Sequence, residues 1–396
     1  MKLVFSGKPL LAVLASAGVL AGCVGSGIVP QPRQPQSQPQ RQPQSQTPTQ
    51  PRAQPVRGPG GSVTVPIGQP VRSQSPAPPG TLDPGFRRPP AGLSDRVAGL
   101  WRAFPGKTGI AIQRIDGEWT FSERGDELFP QQSVSKLWVT MTVLDAVDQG
   151  RLRLDQMVHI GLGDLAVFHQ PLATRVVAEG SVTMSVRDLI EAAITHSDNL
   201  ANDSLLRTVG GPDAVRRFVS KKDLGSIRFG PGERLLQSGT AGLAWQQSYS
   251  RGRNFQAARA ALPDATRKAA MDKYLANPVD GASPSAIASA LTRLARGTLL
   301  SPESTEYLLG VLSRTKSGPK RLKAGLPPGW QFLHKTGTGQ DYKGMTAGYN
   351  DIGIATAPDG TRYAIVVMLG STTASIPARM SLMQAVSGAV AEFHGR

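Results

Sequence analysis

Cysteine is almost missing from this chain: there is one, Cys23, in 396 residues. That excludes a disulfide framework and any thiolate metal site. The five histidines, His159, His169, His196, His334 and His394, show no metal-ligand spacing, so no metal and no other cofactor is expected. Acidic residues are outnumbered, 28 against 44 Lys and Arg, for a net charge of +16. No Lys/Arg run is interleaved with aromatics, so this balance does not point to nucleic acid; an anionic membrane surface accounts for it. Long apolar runs are scarce too. The run at residues 10–22 has 13 residues, too short to span a bilayer as a stable helix.

That run suits an export signal, because it follows a basic start with Lys2 and Lys8. It closes on Leu20-Ala21-Gly22-Cys23, which resembles the bacterial lipoprotein signal, small residues before a cysteine that is lipidated and becomes the mature amino terminus. The expectation is an exported protein of the cell envelope, anchored to a membrane through Cys23 and facing the periplasm. Residues 24–92 hold 17 of the 32 prolines, 12 glutamines and one aromatic, Phe86. So few apolar side chains do not offset the entropy of folding, and the stretch reads as a disordered linker. As a flexible coil it would reach about 45 Å, and as polyproline II up to about 200 Å. Lys2, Lys8 and seven linker arginines, set against Asp83, carry half of the net charge.

The foldable part is residues 93–396. A helix is expected over 95–104, then strands over 108–115 and 118–122 joined at Asp116-Gly117. An apolar helix runs over 133–147 and stops at Gly150. Helices follow over 186–195, behind the cap Ser185, and over 201–209. Two more start at Ser283-Pro284 and Ser301-Pro302, each with Ser at N-cap and Pro at N1. Strands over 331–336, 350–356 and 361–369 and a helix over 380–393 complete the map. Early strands, central helices and late strands predict an α/β fold of the α+β type: an antiparallel sheet built from both chain ends, packed with helices, plus an all-helical lobe. The cleft between lobes is the natural site.

Ser133-Val134-Ser135-Lys136 opens the apolar helix. Ser133 and Lys136 are i and i+3, so they share a helix face near its amino end. There the helix terminus and the amine both favour a developing oxyanion. Alone, S-x-x-K arises by chance and reads as a capping serine before an exposed lysine. Two further elements change that balance. Ser197-Asp198-Asn199 sits between two helical segments, and His334-Lys335-Thr336-Gly337-Thr338-Gly339 runs off a late strand. A nucleophilic Ser with its Lys, a second Ser able to relay a proton, and a facing Lys-Thr-Gly strand form the constellation of penicillin-recognising proteins.

Over most of residues 93–396 the chain resembles the class A serine β-lactamases. Residues 184–199 look like that family's helix leading into its S-D-N loop, and Gly210-Gly211-Pro212 matches the turn after it. Glu233 lies 36 residues after Ser197, the family's spacing for its catalytic Glu, with Leu236 completing E-x-x-L. Asp280 with Ser283-Pro284 resembles the end of the omega loop, and Asn350-Asp351-Ile352 the strand after the K-T-G hairpin. The resemblance implies that Ser133 is acylated, that Lys136 shuttles its proton, and that Ser197 protonates the leaving lactam nitrogen. It implies that Lys335 and Thr336 hold the substrate carboxylate, Asn199 the acyl-amide side chain, and the N–H groups of Ser133 and Thr338 the oxyanion. Glu233 would activate the deacylating water.

The chain departs from the family in three places. Gln237 replaces an Asn beside the hydrolytic water. Pro231 replaces the Arg that pairs with the Asp matched by Asp280. The stretch from Gln237 to Asp280 is some tens of residues longer. Two roles stand open for His196 and His334, site neighbour or packing, and two for Phe168, cleft rim or buried side chain. The implied partner is a β-lactam or peptidoglycan-like small molecule, with hydrolysis through an acyl-enzyme as the leading function. A penicillin-binding D,D-carboxypeptidase or transpeptidase, or a non-catalytic cell-wall-binding lipoprotein, are the alternatives.

Overall fold

Five strands make a continuous antiparallel path in the computed structural model, which describes residues 88–117 and 119–395. In spatial order they are Thr120–Glu123, Lys107–Arg114, Arg362–Thr372, Met345–Thr356 and Gln331–Thr338; the short Asp341–Tyr342 strand also pairs with Met345–Thr356. The sheet therefore joins the first strands of the domain to its last, as the order of apolar segments predicted. The expected lipidation at Cys23 and the linker as far as residue 87 lie outside the described residues.

Both faces of this sheet are covered, so its central strands are nearly continuously apolar. Alternation with period two divides them. Ile110, Ile112, Ile365, Val367 and Leu369 point to one layer, where they meet Leu93 and Val97 of the Ala91–Ala103 helix and Leu382, Met383 and Val386 of the Ile376–Glu392 helix. Ala111, Ile352, Ile354, Ala364, Val366 and Met368 point to the other layer and pack with Ile287, Ala288 and Leu291 of Pro284–Ala295. That second core continues into the helical lobe. Its axis is Lys136–Asp148, buried at eleven of its thirteen positions, which its nearly unbroken apolar sequence requires.

The structure shifts several expected boundaries. The first helix starts at Ala91, taking in residues that composition assigned to the linker. The helix expected from residue 133 begins as a 3-10 turn, Gln132–Ser135, and becomes α-helical only at Lys136. A two-stranded ribbon, Met157–Gly161 with Ser181–Ser185, was not foreseen, nor were the helices Pro212–Lys221, Asn254–Ala261 and Asp264–Ala276. The last two fill the long segment between Gln237 and Asp280. That segment is ordered and packed: Phe255 buries against Val167, Ala241 and Trp245, while Met271 and Tyr274 bury against Leu236, Tyr342 and Ala347.

Candidate active site

Ser133 lies in the tight turn before the buried axial helix, and the residue before it, Gln132, is held at a φ of 54°. A left-handed conformation in a side chain as large as Gln costs about 1–3 kcal/mol and persists only where surroundings impose it. Here they do. The Gln132 N–H donates to Asp280 Oδ2 at 2.8 Å, and its side-chain amide donates to Tyr274 Oη at 2.7 Å and to the Ala347 carbonyl at 3.2 Å. The turn also lies against the Lys-Thr-Gly strand so closely that a Cβ on Gly337 would come within 2.3 Å of the Gln131 carbonyl. Glycine is the residue that permits this approach.

From the turn, Lys136 reaches back to Ser133. Its Nζ donates to Ser133 Oγ at 2.7 Å and to Glu233 Oε1, and both Lys136 and Glu233 are buried. Glu233 opens the helix Glu233–Ala241, whose entry is turned by Gly232 at a φ of 95°. The backbone N–H of Glu233 donates to Asp203 Oδ1 at 3.1 Å. Loss of solvent, then the charge of Glu233, raises the Asp203 carboxyl to about 6.

On the opposite wall, Lys335 is fully buried and donates to Ser197 Oγ at 2.9 Å and to the Thr336 carbonyl at 3.0 Å. Ser197 is itself left-handed, with a φ of 60°, between the Val186–Thr195 and Asn199–Thr208 helices. Burial, and then the like charge of Lys136, push the Lys335 amine well below the ordinary lysine range. Its ammonium form therefore gains from an anion brought beside it. Asn199 is buried, its Nδ2 donating to the Val167 carbonyl at 2.7 Å. Thr336 shares a 2.7 Å hydrogen bond with Ser317, and Thr338 Oγ1 accepts from Arg321 at 2.7 Å.

These groups border one cavity of about 530 Å³, lined by Ser133, Ser197, Asn199, Glu233, Thr336 and Thr338 among others. Lys136 and Lys335 lie behind its wall, tied to Ser133 and Ser197. The eight residues to which the resemblance gives a catalytic or binding role, Ser133, Lys136, Ser197, Asn199, Glu233, Lys335, Thr336 and Thr338, are thus at or against the cavity. His196 lines it as well, and its carbonyl bonds to the His169 ring at 2.9 Å. His334 does not. It is buried beside Asp351, 2.8 Å from Nδ1 to Oδ1, so its role is packing. Phe168 stands at the rim, edge-on to Phe255 at 4.9 Å.

No motif pointed to Arg321, whose guanidinium donates to the carbonyls of Gly337 and Asn350 and lies over the Tyr349 ring. Nor did the sequence reveal how the Glu233 loop is braced without an arginine at Pro231. Tyr274 donates to Asp280 Oδ1 at 2.9 Å, and the Gln132 N–H holds the other oxygen. The Asp280 carboxyl, buried, is raised to about 6. A chain of amides continues from this brace. Gln237 donates to Gln132 Oε1 at 3.1 Å and to Glu233 Oε2 at 3.3 Å, and Gln340 donates to Gln237 Oε1 at 3.0 Å. Arg259, from the inserted helices, donates to Gln340 Oε1 at 2.8 Å.

The sequence model described as "Beta-lactamase enzyme family" matches residues 92–393. The chain is 26% identical to "Beta-lactamase VEB-1" of Pseudomonas aeruginosa over 283 residues, 71% of this chain and 83% of that protein. Among solved structures, a β-lactamase from Chitinophaga pinensis DSM 2588 superposes with a TM-score of 0.62 at 26% identity, covering 76% of this chain and 98% of that one. An ancestral class A β-lactamase reaches 30% identity and a TM-score of 0.59, covering 76% of this chain and 99% of that one.

Proposed function

Since the chain belongs to the beta-lactamase enzyme family, we propose that it hydrolyses β-lactams as a class A serine enzyme, through an ester formed on Ser133. The observation that carries this reading is the buried, hydrogen-bonded line from Ser133 Oγ through Lys136 Nζ to Glu233 Oε1. Transfer of one proton from Lys136 to Glu233 leaves an amine that can take the Ser133 proton as Oγ attacks the lactam carbonyl. The carbon–nitrogen bond then breaks. Ser197, held by Lys335, hands its proton to the departing nitrogen and regains one from Lys136, which had taken it from Ser133. Glu233 returns its proton to Lys136, and in the second half the carboxylate takes a proton from water as that water attacks the ester and passes it to Ser133 Oγ as the ester bond breaks. The N–H groups of Ser133 and Thr338 hold the oxyanion in both halves. Lys335 and Thr336 receive the substrate carboxylate, and Asn199 the acyl amide.

The basic leader and the sole cysteine, in Leu20-Ala21-Gly22-Cys23, support a further reading: the enzyme is exported and tethered in the envelope through lipidated Cys23.

Stopped-flow hydrolysis of a chromogenic cephalosporin, paired with intact-mass spectra, tests the mechanism. Glu233→Gln should accumulate an acyl-enzyme after the first turnover, and Ser133→Ala should carry no adduct. An adduct that persists in Ser133→Ala would overturn the nucleophile assignment. Stoichiometric acylation without turnover in the unaltered protein, with release of D-Ala from a peptidoglycan-like peptide, would make it a penicillin-binding peptidase.

A further inference from the structure

The inserted helices bring to the cavity a cation that the proposed reaction does not use. Arg259 stands on Asn254–Ala261, and its guanidinium lines the cavity together with Ser133, Gln237, Gln340 and Asp341. One of its N–H groups is taken by Gln340 Oε1; among the described residues it has no ion-pair partner and no other hydrogen bond. The cavity's other guanidinium differs. Arg321 commits three of its five N–H groups, to two carbonyls and the Thr338 hydroxyl. Asp341 does not neutralise Arg259 by contact, since its carboxylate accepts from Thr346 Oγ1 and its side chain is exposed. Burial and then the like charge of Arg267 work against the Arg259 cation, with the weaker effect of the Asp341 charge in its favour. A half-buried fork of free donors, facing a cavity that admits small molecules, is suited to an anion that offers two oxygens to the fork.

Its position along the strand fixes which anion. Lys335, Thr336 and Arg321 gather at one stretch of the chain, and Gln340, which carries Arg259, lies four residues past Thr336, roughly 13 Å at the rise of an extended chain. The turn bearing Ser133 abuts the middle of that span, because Cβ atoms on Gly337 and Gly339 would strike Gln131 and Gln132. A substrate acylating Ser133 with its carboxylate at Lys335 therefore extends its other end toward Arg259.

Resting on the Ser133 reading above, we propose that Arg259 is a specificity-determining residue that selects β-lactams bearing a second anionic group, a carboxylate or sulfonate, on the acyl side chain. The ion pair forms only with such dianionic substrates, so it separates them from otherwise identical monoanions.

The test uses the full chain and two penicillins that differ by one carboxylate, benzylpenicillin and its α-carboxy derivative. Acylation rate constants from quenched intact-mass spectra and steady-state kcat/KM are measured for both. Arg259→Gln keeps a donor for Gln340 but removes the charge. The ratio of dianion to monoanion kcat/KM should fall about tenfold, mostly through KM, the weight of a hydrogen bond to a charged group. Arg259→Lys should restore part of it, and Arg259→Glu should lower it further. Equal losses for both penicillins, or an unmoved ratio, would overturn the assignment while leaving the Ser133 reading intact. A wild-type protein that neither penicillin acylates would sink both.

Discussion

Asp203 accepts the backbone N–H of Glu233 from a half-buried position, and its carboxyl is raised from 3.8 to about 6. A raised acid is one whose proton is held more tightly in the folded state. The stability it contributes is fully present below about pH 4 and is lost as the pH climbs through 6. Against the unfolded chain, the loss is on the order of 2 kcal/mol once partial exposure is allowed for. Asp203→Asn keeps an acceptor for the Glu233 N–H and removes the charge. Urea denaturation should then show the variant more stable than wild type at pH 7.5 by about 1–2 kcal/mol, and the gain should shrink at pH 4.5. A gain of equal size at both pH values would count against this account. At the same scale, Ser133 and Lys136 were legible because three residues along a helix is a physical adjacency, and Ser197 and Lys335 because their motifs fix local backbone. Asp203, Arg321 and Arg259 were not, since each acts on a group that only the tertiary fold brings near.

Elements whose ends carry caps were legible as well. The side chains of Ser185, Ser283 and Ser301 accept from the N–H groups of Asp188, Ala286 and Ser304, each starting the helix that a capping serine announces. The two inserted helices begin without any side-chain cap bond, behind Arg253 and Pro263, and so left little trace in the sequence. Yet these helices brace the Glu233 loop. Tyr274 stands between the Gln132 amide and the Asp280 carboxylate, and Gln132 in turn receives Gln237. Tyr274→Phe removes an acceptor and a donor at once. A stability loss of about 1–3 kcal/mol is expected. The more telling readout is kinetic. With Gln237 and Glu233 less firmly held, deacylation should slow about tenfold while acylation changes less, so kcat and KM fall together and a burst grows. A uniform fall in kcat/KM with no burst would mean that the tyrosine supports the fold alone.

At the scale of the molecule, the apolar pattern conveyed a sheet built from both ends of the domain, but not where the domain starts. Leu93 and Val97 are buried within the first helix, against the layer that covers the outer face of the sheet. A chain beginning at residue 88 should therefore keep its melting temperature and its kcat/KM within about twofold. One beginning at residue 105 loses two fully buried aliphatic side chains, each worth about 1.5–3 kcal/mol, and should melt well below it. Equal melting temperatures for the two would show that the helix is dispensable. In the intact protein, Cys23→Ser should abolish lipid labelling and membrane fractionation; unchanged labelling would refute the anchor.

The Lys107–Arg114 strand has Thr120–Glu123 on one side and, on the other, Arg362–Thr372, more than two hundred residues later. Until that late strand has been synthesised, the sheet stays open along its centre and the Lys-Thr-Gly wall has no fixed relation to Ser133. Catalytic competence therefore arrives all at once, when Arg362–Thr372 has been made, and no nascent chain that stops short of that strand can possess it. On the proposed reading that the enzyme is exported, this late closure would act as a timer for passage through a translocation channel. It keeps the polypeptide threadable for as long as its last strand is unmade, and leaves the reactive serine harmless until the domain is complete.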